Sequence, residues 1–345
     1  MIPQTDRPGA DPIDPQIAPQ IEPSWQAQLR DAVRSGAELC QLLELRPQQV
    51  ALSAQAAQQF PVQVPRAFVG LMAKRDPADP LLLQVLNSAL EDRHQDGYGP
   101  DPLDEAAYNP LPGLLHKYPG RALLIVSGKC AIHCRYCFRR HFPYAANNPG
   151  RQNWQPALDY LAADSSLHEV IFSGGDPLSA PDTQLRWLCE RLEQIPHLQR
   201  LRIHTRLPVV IPQRIDAALL AWLTATRLQI QMVLHINHPN EISPALARAL
   251  QRLRAIGPCL NQSVLLAGVN DDLDTLANLQ ERAYAAGVLP YYLFCLDRVQ
   301  GAAHYAVPRH RALELVRGLR QRLPGYLVPR LAIEEAGQQS KTLLG

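Results

Sequence analysis

Short apolar runs alternate with amphipathic segments over residues 121–297. Six runs have the length and composition of strands: RALLIV (121–126), EVIFSGG (169–175), RLRIHTR (200–206), QIQMVLHI (229–236), LNQSVLLAGV (260–269) and PYYLFCLD (290–297). Between them, apolar residues recur at helical spacing, as in the stripes Leu185, Leu188, Leu192, Ile195 and Ile242, Leu246, Leu250, Leu253. Such repeats predict a parallel sheet with helices outside it. Six strands are too few for a closed eight-stranded barrel, so we expect an α/β fold: an incomplete, TIM-like (β/α)6 barrel.

The segments on either side of these repeats differ from them in composition and in the spacing of apolar residues. The first residues are rich in Pro and nearly free of large apolar side chains, which predicts disorder. The apolar face of Trp25, Leu29 and Val33 then indicates helix. Four units are predicted: a disordered Pro-rich tail (1–23), an N-terminal helical module (24–108), the partial barrel (109–305) and a C-terminal segment (306–345).

Composition excludes several classes of protein. The 345 residues carry 34 Lys and Arg against 32 Asp and Glu, so there is no basic field for nucleic acid. No apolar stretch has the length of a membrane span, and Pro and Asp stand at the N-terminus where a signal peptide has an apolar core. We therefore expect a cytoplasmic protein with no nucleic-acid or membrane partner.

Three of the seven cysteines, Cys130, Cys134 and Cys137, form a C-x3-C-x2-C run after the first predicted strand. In a reducing compartment, clustered cysteines indicate metal binding. Three thiolates can hold three irons of a cubane cluster and leave the fourth iron open. Alternatively, His133 or His141 could complete a closed zinc site, as in a non-enzymatic interaction module.

A second motif, SGGDP (173–177), follows the second predicted strand. In parallel α/β folds the chemistry collects at the carboxyl ends of the strands. The cysteine run and this glycine-rich turn should therefore lie at the same end of the barrel.

The cysteine spacing, with Tyr136 before the last cysteine, resembles that of the radical S-adenosylmethionine enzymes. The resemblance implies a 4Fe–4S cluster on Cys130, Cys134 and Cys137, with S-adenosylmethionine on the open iron. It also implies that a turn after the second strand contacts the amino group of S-adenosylmethionine; here that turn is Ser173, Gly174, Gly175 and Asp176.

Over about residues 110–345 the chain resembles, more closely, the lysine 2,3-aminomutases. The motifs that carry this likeness are HKYPGRALL (116–124), CRYCFRRHF (134–142), FSGGDPL (172–178), RLPVVIPQRI (206–215), HINHPNEI (235–242), NQSVLLAGVND (261–271) and GYLVPRL (325–331). That family adds pyridoxal 5'-phosphate to the radical machinery. The chain is thus expected to be an isomerase that moves an amino group.

The likeness assigns cofactor residues by position. Lys341 would form the imine with pyridoxal phosphate, and Lys117, Tyr118 and Arg121 would surround the cofactor, with Lys117 where the family has Arg. His235 and Gln262 would lie near S-adenosylmethionine. A rival with the same fold would use the radical without pyridoxal phosphate.

It also assigns substrate residues. Arg139 would pair with the carboxylate of L-lysine, while Asp297 and Glu334 would hold its distal ammonium; the family usually has Asp at the second place. A glutamate 2,3-aminomutase is disfavoured because two carboxylates would repel the substrate side chain.

The chain is short and lacks the C-terminal cysteine cluster of the longer family members. Together with CRYCFRRHFPYA (134–145), QGAAHY (300–305) and GYLVPRLA (325–332), this resembles the branch that serves bacterial elongation factor P. Asp272 stands where those members carry a further zinc-binding cysteine. In that branch L-α-lysine becomes (R)-β-lysine, which a separate ligase attaches to elongation factor P. An electron donor such as flavodoxin or ferredoxin is also implied.

Overall fold

The computed structural model describes residues 23–147 and 153–345. Nine strands form one sheet in chain order: β1 (Leu114–Tyr118), β2 (Arg121–Ser127), β3 (Glu169–Gly174), β4 (Arg200–Thr205), β5 (Gln229–Leu234), β6 (Cys259–Val264), β7 (Val288–Phe294), β8 (Arg330–Ile333) and β9 (Thr342–Leu343). Strands β2 to β8 are parallel, whereas β1 and β9 pair antiparallel at the two edges. The predicted α/β partial barrel is confirmed, and its six predicted strands are β2 to β7.

Helices connect the strands and cover the sheet. They are α1 (Trp25–Arg30), α2 (Gly36–Leu42), α3 (Ala54–Gln59), α4 (Arg66–Val69), α5 (Pro80–Leu83), α6 (Gln155–Ala163), α7 (Asp182–Glu193), α8 (Leu207–Val210), α9 (Ala217–Ala225), α10 (Pro244–Leu253), α11 (Leu273–Ala285) and α12 (Arg309–Arg322). Short 3-10 helices include Glu105–Tyr108, Pro177–Ser179 and Pro239–Glu241. Within the described part of the chain, no helix is long and apolar enough to cross a membrane.

One apolar core joins the N-terminal segment to the barrel. Val33, Leu39 and Phe68 are fully buried in the same cluster as Leu124 and Phe172 from β2 and β3. The helices of residues 24–108 therefore stabilise the barrel directly. Of the predicted disordered tail, residues 1–22 lie outside the described residues.

Two elements are shorter than the apolar pattern predicts. Helix α1 ends at Arg30, after which Val33 forms an isolated bridge with Val64. Strand β6 ends at Val264: the Leu265 N–H still donates to the Phe294 carbonyl at 2.8 Å, but the Leu266 N–H donates to the Asn270 side chain at 2.8 Å. Side-chain acceptors thus end the ladder where apolar residues continue.

The C-terminus is anchored by a second core under α11, α12 and β8. Leu344 is buried there with Leu331, and its N–H donates to the Leu331 carbonyl at 2.9 Å. Strand β9 pairs with β8 in the register Ile333 to Thr342. Because this pairing is antiparallel, Lys341 lies opposite Glu334.

Candidate active site

Several of the residues predicted to be functional follow the carboxyl ends of parallel strands, whereas residues 117–121 lie around the turn that precedes β2. The cysteine loop follows β2, the glycine turn ends β3, His235 follows β5, Asp297 follows β7 and Glu334 follows β8. Because parallel strands present these ends on one side of the sheet, the fold gathers groups far apart in sequence.

The glycine turn packs against the cysteine loop. The Gly175 N–H donates to the Ser127 carbonyl at 2.8 Å, and Gly174 has φ +125°, which favours glycine. A Cβ on Gly175 would lie 2.6 Å from the Lys129 carbonyl oxygen and 3.0 Å from Cys130 Sγ. Only glycine allows this approach of the two backbones.

The three thiols of the cysteine run influence one another. Burial, and then the neighbouring Cys137, raises the pKa of Cys130, and burial followed by Cys134 raises the pKa of Cys137 to about 12. Bound iron would supply the positive charge that keeps such thiols deprotonated. Across residues 23–147 and 153–345, no three His, Cys, Asp or Glu side chains are arranged to hold a single metal ion. A cluster that takes each thiolate on a different iron suits this spacing.

Asp176 ties the glycine turn to the end of β4. Its carboxylate accepts hydrogen bonds from the Thr205 hydroxyl at 2.7 Å and from the backbone N–H groups of Arg206 and Leu207 at 2.7 and 2.8 Å. It also accepts from the Leu178 N–H, which starts the 3-10 helix Pro177–Ser179. These hydrogen bonds give the Asp176 carboxylate a structural role, and its contact with S-adenosylmethionine stays a prediction.

His235 lies beside the cysteine loop as a neutral imidazole. Its Nε2 atom is 3.0 Å from the Tyr136 hydroxyl, and the two rings stack with centroids 5.8 Å apart. Burial, and then the charge of Arg206, lowers the pKa of His235 to about 3. Gln262 lies on β6 opposite Tyr292.

A carboxylate between two lysines forms the second half of the site. Glu334 Oε2 accepts from Lys341 Nζ at 3.0 Å, and its Oε1 accepts from Lys117 Nζ at 3.2 Å. Lys341 Nζ lies 5.2 Å from the centroid of the Tyr118 ring, which the Arg121 guanidinium approaches to 4.7 Å and Lys117 Nζ to 5.7 Å. The four residues predicted to surround pyridoxal phosphate thus lie together.

A tight turn explains two of these positions. In the sequence YPGR (118–121), Gly120 has φ +75°, which glycine adopts readily after Pro119. The turn pairs Tyr118 with Arg121 across β1 and β2. The guanidinium therefore lies over the ring.

The two predicted substrate carboxylates titrate very differently. Burial opposes ionisation of Glu334, but Lys341 and Lys117 outweigh it and lower its pKa to about 2. Burial, and then the negative charge of Glu334, raises the pKa of Asp297 to about 7. Burial and Glu334 also raise the pKa of the Tyr118 phenol, whose oxygen is buried without a well-formed hydrogen bond. Glu334 is thus ionised at neutral pH, whereas Asp297 is half protonated.

Arg139 is paired within the chain. Its Nε and Nη2 atoms donate to Glu105 at 2.8 and 2.6 Å, and its Nη1 donates to Ser173 Oγ at 3.0 Å. Asp104, at φ +52°, precedes the 3-10 helix that begins with Glu105. This arrangement holds the planar guanidinium beside the glycine turn.

Three residues of the site were missed by the sequence analysis. They are Glu105, Arg206 and His204, and the Nε2 atom of His204 is buried without a partner in the described part of the chain. Burial, and then Arg202 and Lys341, lowers the pKa of His204. The signal for His204 and Arg206 was available, since both are polar residues within the conspicuous run RLRIHTR. Nothing local marked Glu105.

Comparison with known proteins agrees with this geometry. Residues 124–279 match the family model described as the Radical SAM superfamily. A radical SAM methyltransferase from Sphaerobacter thermophilus aligns with a TM-score of 0.44 and 17% identity, over 64% of this chain and 68% of that one. The cysteine loop and the glycine turn both lie within the residues that this family model matches.

Full-length relatives define the class further. An L-lysine 2,3-aminomutase of Escherichia coli is 51% identical over 93% of this chain and 94% of its own length. The enzyme of the same name from Haemophilus influenzae is 50% identical over 93% and 96%. That from Clostridium subterminale is 34% identical over 92% and 77%. The chain belongs to the L-lysine 2,3-aminomutase family, an isomerase family that works with a 4Fe–4S cluster, S-adenosylmethionine and pyridoxal phosphate.

Proposed function

We propose that this chain converts L-α-lysine to (R)-β-lysine, with pyridoxal phosphate held covalently by Lys341. The observation that carries the proposal is the group of Lys341, Lys117 and Tyr118 around Glu334, the residue that follows β8. A lysine amine beside an aromatic ring and a second cation is what the aldehyde and phosphate of this cofactor require.

Each residue around the cofactor then has a distinct task. Bound pyridoxal phosphate supplies an aldehyde and a delocalised ring, while the cluster and S-adenosylmethionine supply the radical. Lys341 provides the attacking amine, and Lys117 and Arg121 provide positive charge for the phosphate. Tyr118 offers its face to the ring, and the buried setting excludes water from reactive intermediates.

The two ends of lysine are matched by opposite charges. Arg139 uses its Nε edge for Glu105, which leaves one N–H on Nη2 for a substrate carboxylate. Its Nη1 atom donates one N–H to Ser173. The second N–H on Nη1 makes only a long 3.5 Å contact with the Gly174 carbonyl and is also available to a substrate carboxylate. Asp297 and Glu334 offer carboxylates for the distal ammonium. Glutamate is disfavoured because Glu334 already raises the pKa of Asp297, so a third carboxylate would meet further repulsion.

We extend the proposal to the cytoplasmic β-lysylation of elongation factor P. The support is the resemblance of CRYCFRRHFPYA (134–145), QGAAHY (300–305) and GYLVPRLA (325–332) to that branch of the family. The product would pass to a separate ligase, and flavodoxin or ferredoxin would donate the electron. Mass spectrometry of elongation factor P, incubated with ligase and product, tests this step independently of the isomerase activity.

The deciding experiment is anaerobic turnover of L-lysine with S-adenosylmethionine and reductant, followed by chiral analysis of the product. We expect (R)-β-lysine from the intact protein and none from K341A. The matched control is K74A, because Lys74 lies on the surface in an ion pair with Glu44. Absence of β-lysine from a sample with intact cluster and bound pyridoxal phosphate would refute the proposal.

A further inference from the structure

Arg206 connects the cysteine loop to a buried carboxylate. Its side chain is 6% exposed and begins where β4 ends. Its Nη1 atom donates to Cys134 Sγ at 2.7 Å and to the Tyr136 hydroxyl at 2.6 Å. Its Nη2 atom donates to Glu241 at 2.9 Å and to the Gln84 amide oxygen at 2.7 Å. One guanidinium therefore connects two residues of the cysteine loop with Glu241 and with the residue that follows α5.

The guanidinium of Arg206 lies between a buried carboxylate and the sulfur of Cys134. Glu241 is fully buried and also accepts the backbone N–H groups of Asn237 and His238 at 3.0 and 3.1 Å. The ion pair is neutral overall, but the guanidinium lies between this carboxylate and the thiol. Among the residues that the structure describes, Arg206 is the one charged side chain whose hydrogen bond reaches the sulfur of Cys130, Cys134 or Cys137.

Hydrogen bonds to the sulfurs and nearby charge set the reduction potential of an iron–sulfur cluster. Reduction adds one electron from the external donor and breaks no bond, so the reduced cluster carries one more negative charge. We propose that Arg206 is a positioning residue that holds the Cys134 ligand and raises the reduction potential of the family's 4Fe–4S cluster. The proposal concerns the radical source and is independent of the substrate assigned above.

The test is a potentiometric titration of the anaerobically reconstituted holoenzyme, in which electron paramagnetic resonance measures the reduced cluster. For R206Q we expect a lower midpoint. At the potential where half of the wild-type clusters are reduced, the reduced-to-oxidised ratio should fall about tenfold, or about 59 mV for one electron. R206K keeps the positive charge but loses the planar guanidinium with its several N–H donors. Its reduced-to-oxidised ratio should therefore fall by less than that of R206Q.

Two further variants separate this effect from general damage. R206Q leaves Glu241 buried and unpaired, which destabilises proteins strongly, whereas the double variant R206Q/E241Q removes both charges. Arg214 is also fully buried and is paired with Asp182, but it bonds to no cysteine. R214Q should therefore keep the wild-type midpoint and iron content.

Each outcome bears on the proposal. A lowered midpoint in R206Q/E241Q supports the proposal. Loss of the cluster from R206Q/E241Q also supports it, provided that R214Q keeps its cluster. A fully loaded double variant with the wild-type midpoint would overturn it. An equal shift or equal loss of iron in R214Q would also overturn it, because any buried arginine would then have the same effect.

Discussion

Asp297 should make lysine binding depend on pH, and the variant D297N should remove that dependence. Burial, and then Glu334, raises the pKa of Asp297 from its ordinary value of 3.8 to about 7. At about 1.4 kcal/mol per pKa unit, the protonated form is favoured by about 4 kcal/mol relative to an exposed aspartate. At pH 6 only about one Asp297 in ten is then ionised, against about nine in ten at pH 8.

A bound ammonium favours the ionised carboxylate, so lysine must displace the proton when it binds below pH 7. The apparent Kd of the wild-type protein should therefore rise about tenfold for each pH unit below 7. Above pH 8 the ionisation of Asp297 should no longer change the apparent Kd. The direction of this pH dependence follows from the raised pKa of Asp297, because the ionised carboxylate that binds the ammonium is lost as the pH falls.

Calorimetry in two buffers with different ionisation enthalpies counts the protons released when lysine binds to protein loaded with pyridoxal phosphate. Without S-adenosylmethionine there is no turnover. D297N measures the protons that come from the cofactor, so the difference between the two proteins belongs to Asp297. We expect a difference of about one proton at pH 6 and close to none at pH 8. Equal proton release by both proteins at pH 6 would refute the reasoning.

D297N has a second expected effect, and two further variants test other parts of the site. At pH 8, D297N should increase the free energy of unfolding by up to about 4 kcal/mol and so raise the melting temperature, but at pH 4 it should change both little. The folded-state pKa of Asp297 is raised, so the stabilisation from the neutral acid is lost as the pH rises through about 7. E105Q should raise the KM for lysine more than it lowers kcat, since a charged hydrogen bond to Arg139 is worth about 1.5–3 kcal/mol; an unchanged KM would contradict its positioning role. G175A should bind less iron and lose about 1–3 kcal/mol of stability through overpacking, whereas G325A, with open space around it, should bind iron normally in the same assay.

The sequence predicted the central sheet because its strands are long and apolar. Strands β1, β8 and β9 were missed for the opposite reason. Strand β1 contains the polar residues of LLHKY, β8 has four residues and β9 only two. Their pairing depends on neighbours already in place, and that information does not lie in any local window.

The position of the cysteine run was predictable because it follows a recognisable strand, whereas Lys341 was assigned only through the family resemblance and its role stays a prediction. The contacts between charged groups were not. Glu105 and Arg139 are 34 residues apart, and Lys117 and Glu334 are 217 apart. Ion pairs of this kind follow from the folded topology, so the sequence indicated Arg139, Lys117 and Glu334 but neither Glu105 nor which charges neutralise one another.

The contact between Lys117 and Glu334 joins the two positions at which the cofactor and substrate residues depart from the family pattern. A lysine carries its charge at one point and donates here to one oxygen, Oε1, leaving Oε2 for Lys341. An arginine at position 117 would present a planar fork that matches both oxygens of a carboxylate. It would then compete with Lys341 for Glu334. In this chain the long side chain of Glu334 reaches two separate lysines, so a single carboxylate serves both cations.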